Sequence, residues 1–437
     1  MKPEKVFKRY DVRGRYPEEL DEEFVGMMGE SLAAFAKENY NNKVVVCRDT
    51  KKSSMQLKEC LIEGLRSQGI DVLDIGIGPT DMAAFQGQKN NCISVQVTSS
   101  HMPLDFNGLK FMYPEGNGFV NEDLNKLEEL FHKKGKGKKE EGSYMEIESA
   151  RDEYSEALEN FVKEKIGVPD DRRIVVETMG GAGSHVLPEV LENLGFDVET
   201  VSGEKLPYRN PPNPKPENLK DLERKVEEND AYIGLALDLD ADRVTAYFEG
   251  EWISGDDLFC IFAQLFQGDV VASVDTDTKL EEFAENIYYT RVGDPFVIDE
   301  TIEKNAVLSG EPNGHYCFPE FTNYNSGTLA GLILACSNLE ELMANIPESH
   351  IAQDNFEFGD NSDAEEAMEK FKECVEDKFE VLSTVDGVKF DLYGSTVLAR
   401  LSGSSPVIRV KCFDEMEKRA EDALSNVREI FGKDINH

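Results

Sequence analysis

The chain has 437 residues, 40% of them hydrophobic and 25 of them Phe, which is enough for packed cores in roughly two to four domains and excludes a disordered chain. Acidic residues outnumber basic ones 86 to 47, a formal net charge of −39, so nucleic acids and anionic membranes should be repelled and an anionic ligand needs a local basic pocket. No run of about 18 apolar residues exists to span a membrane, and the opening MKPEKVFKRYDVRG has no apolar signal core.

A cytoplasmic protein is therefore expected. The Cys at 47, 60, 92, 260, 317, 336, 374 and 412 stand singly, with no CxxC. That pattern predicts buried free thiols, not disulfides or a zinc site. A salt-rich cytoplasm would screen the self-repulsion of so acidic a chain.

In chain order, Lys43–Cys47 reads as a buried strand, Met55–Ser67 has helical spacing, and Ile70–Ile75 is a second strand. This is a βαβ unit. The apolar run Cys92–Val97 predicts another strand and leaves Thr98, Ser99 and Ser100 at its C-terminal edge, where ligands collect in open α/β sheets. Pro103 and Asn107-Gly108 predict that Val97–Phe111 is a loop. Ser100 beside His101, with Lys110 further on, offers a nucleophile, a base and a cation for phosphate. Taken alone, a TSS run after a strand is more often a helix cap or plain turn.

Lys133–Gly142 reads as a charged surface loop. The βαβ pattern returns as strand Arg173–Glu177, a Gly-rich turn at 180–183, helix Ser184–Asn193 and a strand opening at Gly195–Val198. The turn lacks GxGxxG spacing, so a tight strand-to-helix turn is expected and not a dinucleotide site. Arg209–Pro216 (RNPPNPKP) should be a rigid loop. A third unit runs from Asp269–Ser273 through Lys279–Asn286 to Ile287–Arg291, and such repeats point to duplicated α/β domains. Helix Thr328–Met343 follows, then a polar boundary at Gln353–Asp363. The last segment reads as helix Ala364–Val375, strands Gly387–Tyr393, Thr396–Leu401 and Val407–Cys412, and terminal helix Glu415–Ile430.

Three more stretches carry chemistry. In Ala231–Phe248 (AYIGLALDLDADRVTAYF), Asp238, Asp240 and Asp242 alternate before Arg243 between apolar runs. Three carboxylates this close need a cation, and hard oxygens suit Mg2+. An EF-hand fails because Arg243 stands where Gly is required and strands flank the run. A phosphatase with Asp238 as nucleophile is an alternative. Gly310–Phe318 (GEPNGHYCF) is a turn displaying Glu311, Asn313 and His315. Arg400–Arg409 (RLSGSSPVIR) sets hydroxyls and backbone N–H groups between two arginines, a pattern suited to phosphate.

With FKRYDVRG near the start and TRVGDPFVI at Thr290–Ile298, these four stretches resemble the α-D-phosphohexomutase family over nearly the whole length. The resemblance implies an α/β fold of four domains around a central cleft: three α/β domains with mixed sheets and a C-terminal α+β lid. Boundaries are expected at 1–148, 149–248, 249–352 and 353–437. It implies a phosphoserine at Ser100, and one Mg2+ bound by Asp238, Asp240 and Asp242 with the phosphoserine oxygen. Arg13 and Arg243 would neutralise charge near the phosphoryl group, beside His101. Lys110, then His315, would assist proton transfer. Glu311 and Asn313 would take sugar hydroxyls, and Arg400, Ser402, Gly403, Ser404 and Arg409 would hold the phosphate that is not reacting.

The activity so implied is interconversion of hexose 1- and 6-phosphates, of the mannose/glucose type, with hexose 1,6-bisphosphate as intermediate and activator. Hexose phosphates are the expected partners of a monomer or homodimer. A phosphoglucosamine mutase, or a weakened sugar-phosphate-binding homologue, is the alternative. The family pattern is broken at Met102 (for Asn), Leu239 (for Gly), Asn313 (for Ser), Ser404 (for Thr) and Ser405 (for Glu). Asn313 and Ser405 bear on the choice of sugar. Leu239 stands where Gly would permit positive φ.

Overall fold

The computed structural model describes residues 6–8, 10–133, 140–203, 205–402 and 405–432. Residues 134–139 of the expected surface loop, and Gly403 and Ser404, lie outside them. The chain divides into two compact units, one of Met1–Gly255 with Asn313–Leu339, the other of Asp256–Pro312 with Glu340–His437.

The first unit holds two mixed sheets. One has the strand order Val12–Arg15, Phe106–Met112, Ile93–Val97, Lys43–Arg48, Asp71–Ile77, Tyr144–Glu146. Lys43–Arg48 runs parallel to both neighbours, while Phe106–Met112 runs antiparallel to Ile93–Val97. The other sheet is ordered Glu251–Ile253, Val244–Phe248, Ile233–Leu237, Arg173–Glu177, Asp197–Thr200. Its last three strands are parallel and its first two antiparallel.

Helix Glu22–Asn39 has no counterpart among the expected elements. Asp21 caps it by accepting from Phe24 N at 2.8 Å, and Glu22 and Glu23 complement its N-terminal dipole. Phe24, Met28, Leu32 and Phe35 line the face that enters the core.

Other elements depart from expectation for local reasons. Phe106–Met112 is a strand where a loop was predicted: the turn chemistry of Pro103 stops at Asp105, and Asn107 and Gly108 pair with Gly14 and Arg13. Ser184–Asn193 is not one helix. A 3-10 turn, Ala182–His185, precedes helix Leu187–Asn193, which restarts at Pro188. The third repeat keeps its parallel strands Val270–Ser273 and Ile287–Thr290 but links them by only a 3-10 turn, Thr278–Glu282. The predicted helix Thr328–Met343 is two, Gly327–Cys336 and Leu339–Ala344. Ser337 Oγ turns back to Ile333 O at 2.7 Å where the first one stops.

In the second unit, Val270–Ser273 lies between parallel strands Ile287–Thr290 and Leu308–Glu311. A five-stranded antiparallel sheet has the order His350–Glu357, Val407–Asp414, Ser395–Leu401, Val388–Leu392, Glu380–Ser383. Helices Asn361–Lys378 and Glu417–Ile430 supply Phe371, Val375 and Leu424 to a core with Phe390, Val397 and Val410. The polar boundary expected at Gln353–Asp363 is in part the strand His350–Glu357. Its residues alternate between half-buried and exposed, so its one-sided burial conceals it among polar residues. None of the eight cysteines is in a disulfide; six are buried, and Cys60 and Cys374 are half-buried. Among the described residues no helix is long and apolar enough to cross a membrane.

Candidate active site

The parallel strands Asp71–Ile77, Lys43–Arg48 and Ile93–Val97 end at one sheet edge and deliver Thr80, Lys51 and Ser100 there. Thr98 Oγ1 accepts from Ser100 N at 2.9 Å, and Ser100 takes a left-handed backbone, φ 52°. Such a conformation is disfavoured for a residue with a side chain and persists where the surroundings impose it. Ser100 Oγ lies 3.2 Å from His101 Nδ1 and donates to Asp238 Oδ2 at 2.9 Å.

Asp238 begins the bend between the antiparallel strands Ile233–Leu237 and Val244–Phe248. Three backbone N–H groups from separate segments fix successive carbonyls of this bend. Ala182 N donates to Leu239 O at 2.7 Å, Thr80 N to Asp240 O at 3.0 Å and Gly327 N to Ala241 O at 3.0 Å. Thr80 and Gly327 each begin a helix, so positive dipole ends face the acidic bend. The approach is close: a Cβ on Gly181 would stand 2.4 Å from Leu239 O, and one on Gly327 2.3 Å from Arg243 O. The left-handed residue of the bend is Ala241, φ 59°. Leu239 therefore does not need glycine's freedom, contrary to expectation, and its side chain is buried.

The three carboxylates have no solvent exposure. Each commits Oδ2 to the protein. Asp238 uses it for Ser100; Asp240 for Thr80 Oγ1 at 2.7 Å and Lys110 Nζ at 2.8 Å; Asp242 for Lys110 Nζ at 2.5 Å. Each leaves Oδ1 buried without a hydrogen-bond partner. One oxygen from each Asp lies within 4.8 Å of the other two. Orphaned carboxylate oxygens at this spacing fit a hard divalent cation.

Burial, with the charges of Asp242 and Asp240, pushes Asp238 well above the usual carboxylate range. Burial pushes Asp242 up as well, but Lys110, His315 and Arg243 outweigh it and hold that carboxyl well below. Arg243 Nε donates to His315 Nε2 at 3.0 Å, which also lies 3.4 Å from Asp242 Oδ1. The Arg243 charge, then burial, then Arg13 push His101 down to about 2, so this imidazole is neutral near pH 7. Arg13 pairs with Asp11 at 2.5 Å on the strand next to the one that carries Lys110.

Ser100, His101 and Asp238 thus form one group in direct contact, and Lys110, Asp240, Asp242, Arg243 and His315 another; the two meet where the aspartate oxygens lie within 4.8 Å of one another, with Arg13 acting through its field. Sequence reasoning missed Thr80 and Lys51. Both stand after parallel strands of the same mixed sheet, so the strand-edge rule that singled out Ser100 applied to them too.

The remaining candidates are placed as follows. Asn313 Oδ1 accepts from His315 N at 3.2 Å. In the second unit, Glu311 is buried and its Oε2 accepts from Gly293 N at 2.8 Å. Arg400 and Arg409 face each other across neighbouring strands. Arg400 is buried, with Asp386 3.8 Å from Nη1, and Arg409 is exposed. Like charges directly opposite are unfavourable without an anion between them. Ser402 Oγ accepts from Ser405 Oγ at 3.0 Å.

Family models described as phosphoglucomutase/phosphomannomutase α/β/α domains I, II and III match residues 4–138, 152–251 and 254–349. The chain is 32% identical to a "Phosphoglucomutase/phosphomannomutase" of Thermococcus kodakarensis, covering 96% of this chain and 97% of that one. It is also 32% identical to a "Probable phosphoglucosamine mutase" of Methanopyrus kandleri, covering 96% of each. A crystal structure of a phosphoglucomutase/phosphomannomutase family protein from Burkholderia thailandensis shares the fold. Its TM-score is 0.86 at 24% identity, over 98% of this chain and 96% of that one.

Proposed function

Because the chain belongs to the phosphoglucomutase/phosphomannomutase family of α-D-phosphohexomutases and is a mutase, we propose that it interconverts hexose 1- and 6-phosphates through a phosphoserine at Ser100. The observation that carries this reading is the Ser100 hydroxyl on Asp238, 2.9 Å away, beside three orphaned carboxylate oxygens.

Asp238, Asp240 and Asp242 would hold Mg2+ with an oxygen on Ser100. When bound, the ion supplies charge neutralisation at the phosphoryl oxygens. Three carboxylates leave such a centre short of positive charge, and Arg243, Arg13 and Lys110 make up the difference. Phosphoryl transfer needs mainly this positioning and charge. Ser100, turned by its left-handed backbone towards Asp238, hands the phosphoryl group to the free hydroxyl of the sugar and takes one back from the bisphosphate. Lys110, held between two carboxylates, takes the proton of the attacking sugar hydroxyl as that oxygen receives the phosphoryl group and returns it when the phosphoryl group goes back to Ser100, while the proton on Ser100 Oγ moves from and to its hydrogen-bond partner Asp238 Oδ2. His315, with Nε2 3.0 Å from Arg243 Nε and 3.4 Å from Asp242 Oδ1, positions that arginine beside the acidic bend.

Glu311 and Asn313 are proposed to bind sugar hydroxyls, and Arg400, Ser402, Gly403, Ser404 and Arg409 a phosphate. Hexose 1,6-bisphosphate serves as activator. We favour mannose and glucose phosphates. The equal identity to a relative named for glucosamine phosphate keeps that sugar as the second reading. A coupled assay on mannose, glucose and glucosamine 1-phosphates, primed with bisphosphate, tests the proposal. Turnover of mannose or glucose phosphate above glucosamine phosphate is expected; the reverse order makes it a glucosamine enzyme, and no turnover of any contradicts the mutase step.

A further inference from the structure

Resting on the mutase assignment of Ser100, we propose that Lys51 is a positioning residue that clamps the nucleophile loop and fixes the direction of the Ser100 hydroxyl. The loop leaves strand Ile93–Val97 and rejoins the sheet at Phe106. Within it Ser100 must stay in the left-handed region, which a residue with a side chain abandons unless held. Its local hydrogen bonds are Ser100 N to Thr98 Oγ1 and Met102 N to Ser99 O, and Thr98 N on Gly108 O at 3.0 Å closes its stem at the sheet. Above that stem neither local bond reaches across the loop.

Lys51 does. Its Nζ donates to Ser99 Oγ at 2.5 Å, beside the nucleophile, and to Phe106 O at 2.6 Å, where the loop ends. One ammonium therefore ties both ends. It is 5% exposed, and it is backed by Asp49, whose carboxylate lies 4.0 Å from Nζ. Asp49 is in turn held by Lys51 N on Oδ1 at 2.9 Å and by its own N–H on Val97 O at 3.1 Å. A buried ion pair is a poor device for stability alone, since apolar residues of similar volume often serve as well or better. A cation whose donors go to the residue before the nucleophile and to the far end of its loop fits a directional task.

The full chain with Mg2+ and glucose 1,6-bisphosphate allows the test. Ser99→Ala removes one arm of the clamp and leaves the Lys51–Asp49 pair intact; Lys51→Met removes the clamp itself. Each should lower kcat about 10- to 100-fold with KM within about threefold. The double variant should be no worse than the worse single one, as expected of groups acting as a unit. Amide hydrogen exchange over residues 98–107 should quicken in both, with other strands unchanged. Wild-type kcat in Ser99→Ala, additive losses in the double variant, or unaltered exchange in 98–107 would overturn the clamp. Absence of turnover in the parent chain would instead remove the mutase assignment, and the exchange comparison would still decide the clamp.

Discussion

In the first unit, three carboxylates without solvent exposure meet one ammonium and one hydroxyl at 2.5 to 2.9 Å. In the second, two arginines stand opposite each other on neighbouring strands, one buried and one exposed, with a carboxylate 3.8 Å from the buried one. Desolvated, mutually fixed charges act on reacting atoms, where their strength is greatest. A half-exposed cation pair suits an anion that must arrive and leave. The two regions should therefore separate kinetically, the first in kcat and the second in KM.

The largest effect is expected at the nucleophile. Ser100→Ala should cost at least about 10³-fold in turnover while the thermal midpoint stays near wild type; substantial residual mutase activity would break the comparison at its strongest point. Next comes Asp240→Asn, which weakens contacts to Thr80 and Lys110 and removes one candidate metal oxygen. A loss of about 10²-fold in kcat, with weaker Mn2+ binding by calorimetry, is expected, and unchanged Mn2+ affinity would take Asp240 out of the metal set. Arg409→Ala should raise KM for hexose phosphate by about tenfold with kcat within about twofold. If kcat fell instead, the division between the two units would fail.

The smallest effect concerns Asp81, buried next to Thr80 in the chain, with its carboxylate accepting from Tyr154 Oη. Burial raises it from 3.8 to about 7. Its stabilising contribution is full below the unfolded value of 3.8 and is lost as pH rises through about 7, because the unfolded chain gives up that proton first. Asp81→Asn should therefore gain thermal midpoint relative to wild type between about pH 5 and about pH 8. A difference that does not move with pH would show that Asp81 ionises normally.

Much of the site was legible in the sequence because its parts follow apolar strands. Cys92–Val97 announces Ser100, and the run ending at Leu237 announces the aspartates. What escaped notice lies in polar context. Lys51 sits in RDTKKSS and Thr80 in GPTDM, where nothing in composition separates a buried cation or a hydroxyl aimed at a carboxylate from an ordinary loop. Only the parallel order of the three strands brings them to Ser100. The bend was misjudged for a related reason: positive φ falls on Ala241, two residues beyond Leu239, and register within a turn is set by the N–H groups that dock on it. Strands Phe106–Met112 and His350–Glu357 were hidden by turn residues and by one-sided burial.

The account depends most on Ser100 carrying the transferred group. Intact-mass and peptide analysis after incubation with glucose 1,6-bisphosphate and Mg2+ reads this directly. One phosphate on the wild-type chain, located at Ser100 and discharged by hexose phosphate, is the expected result. A chain that turns over hexose phosphate with no phosphate on Ser100, or with phosphate on Asp238, would contradict it.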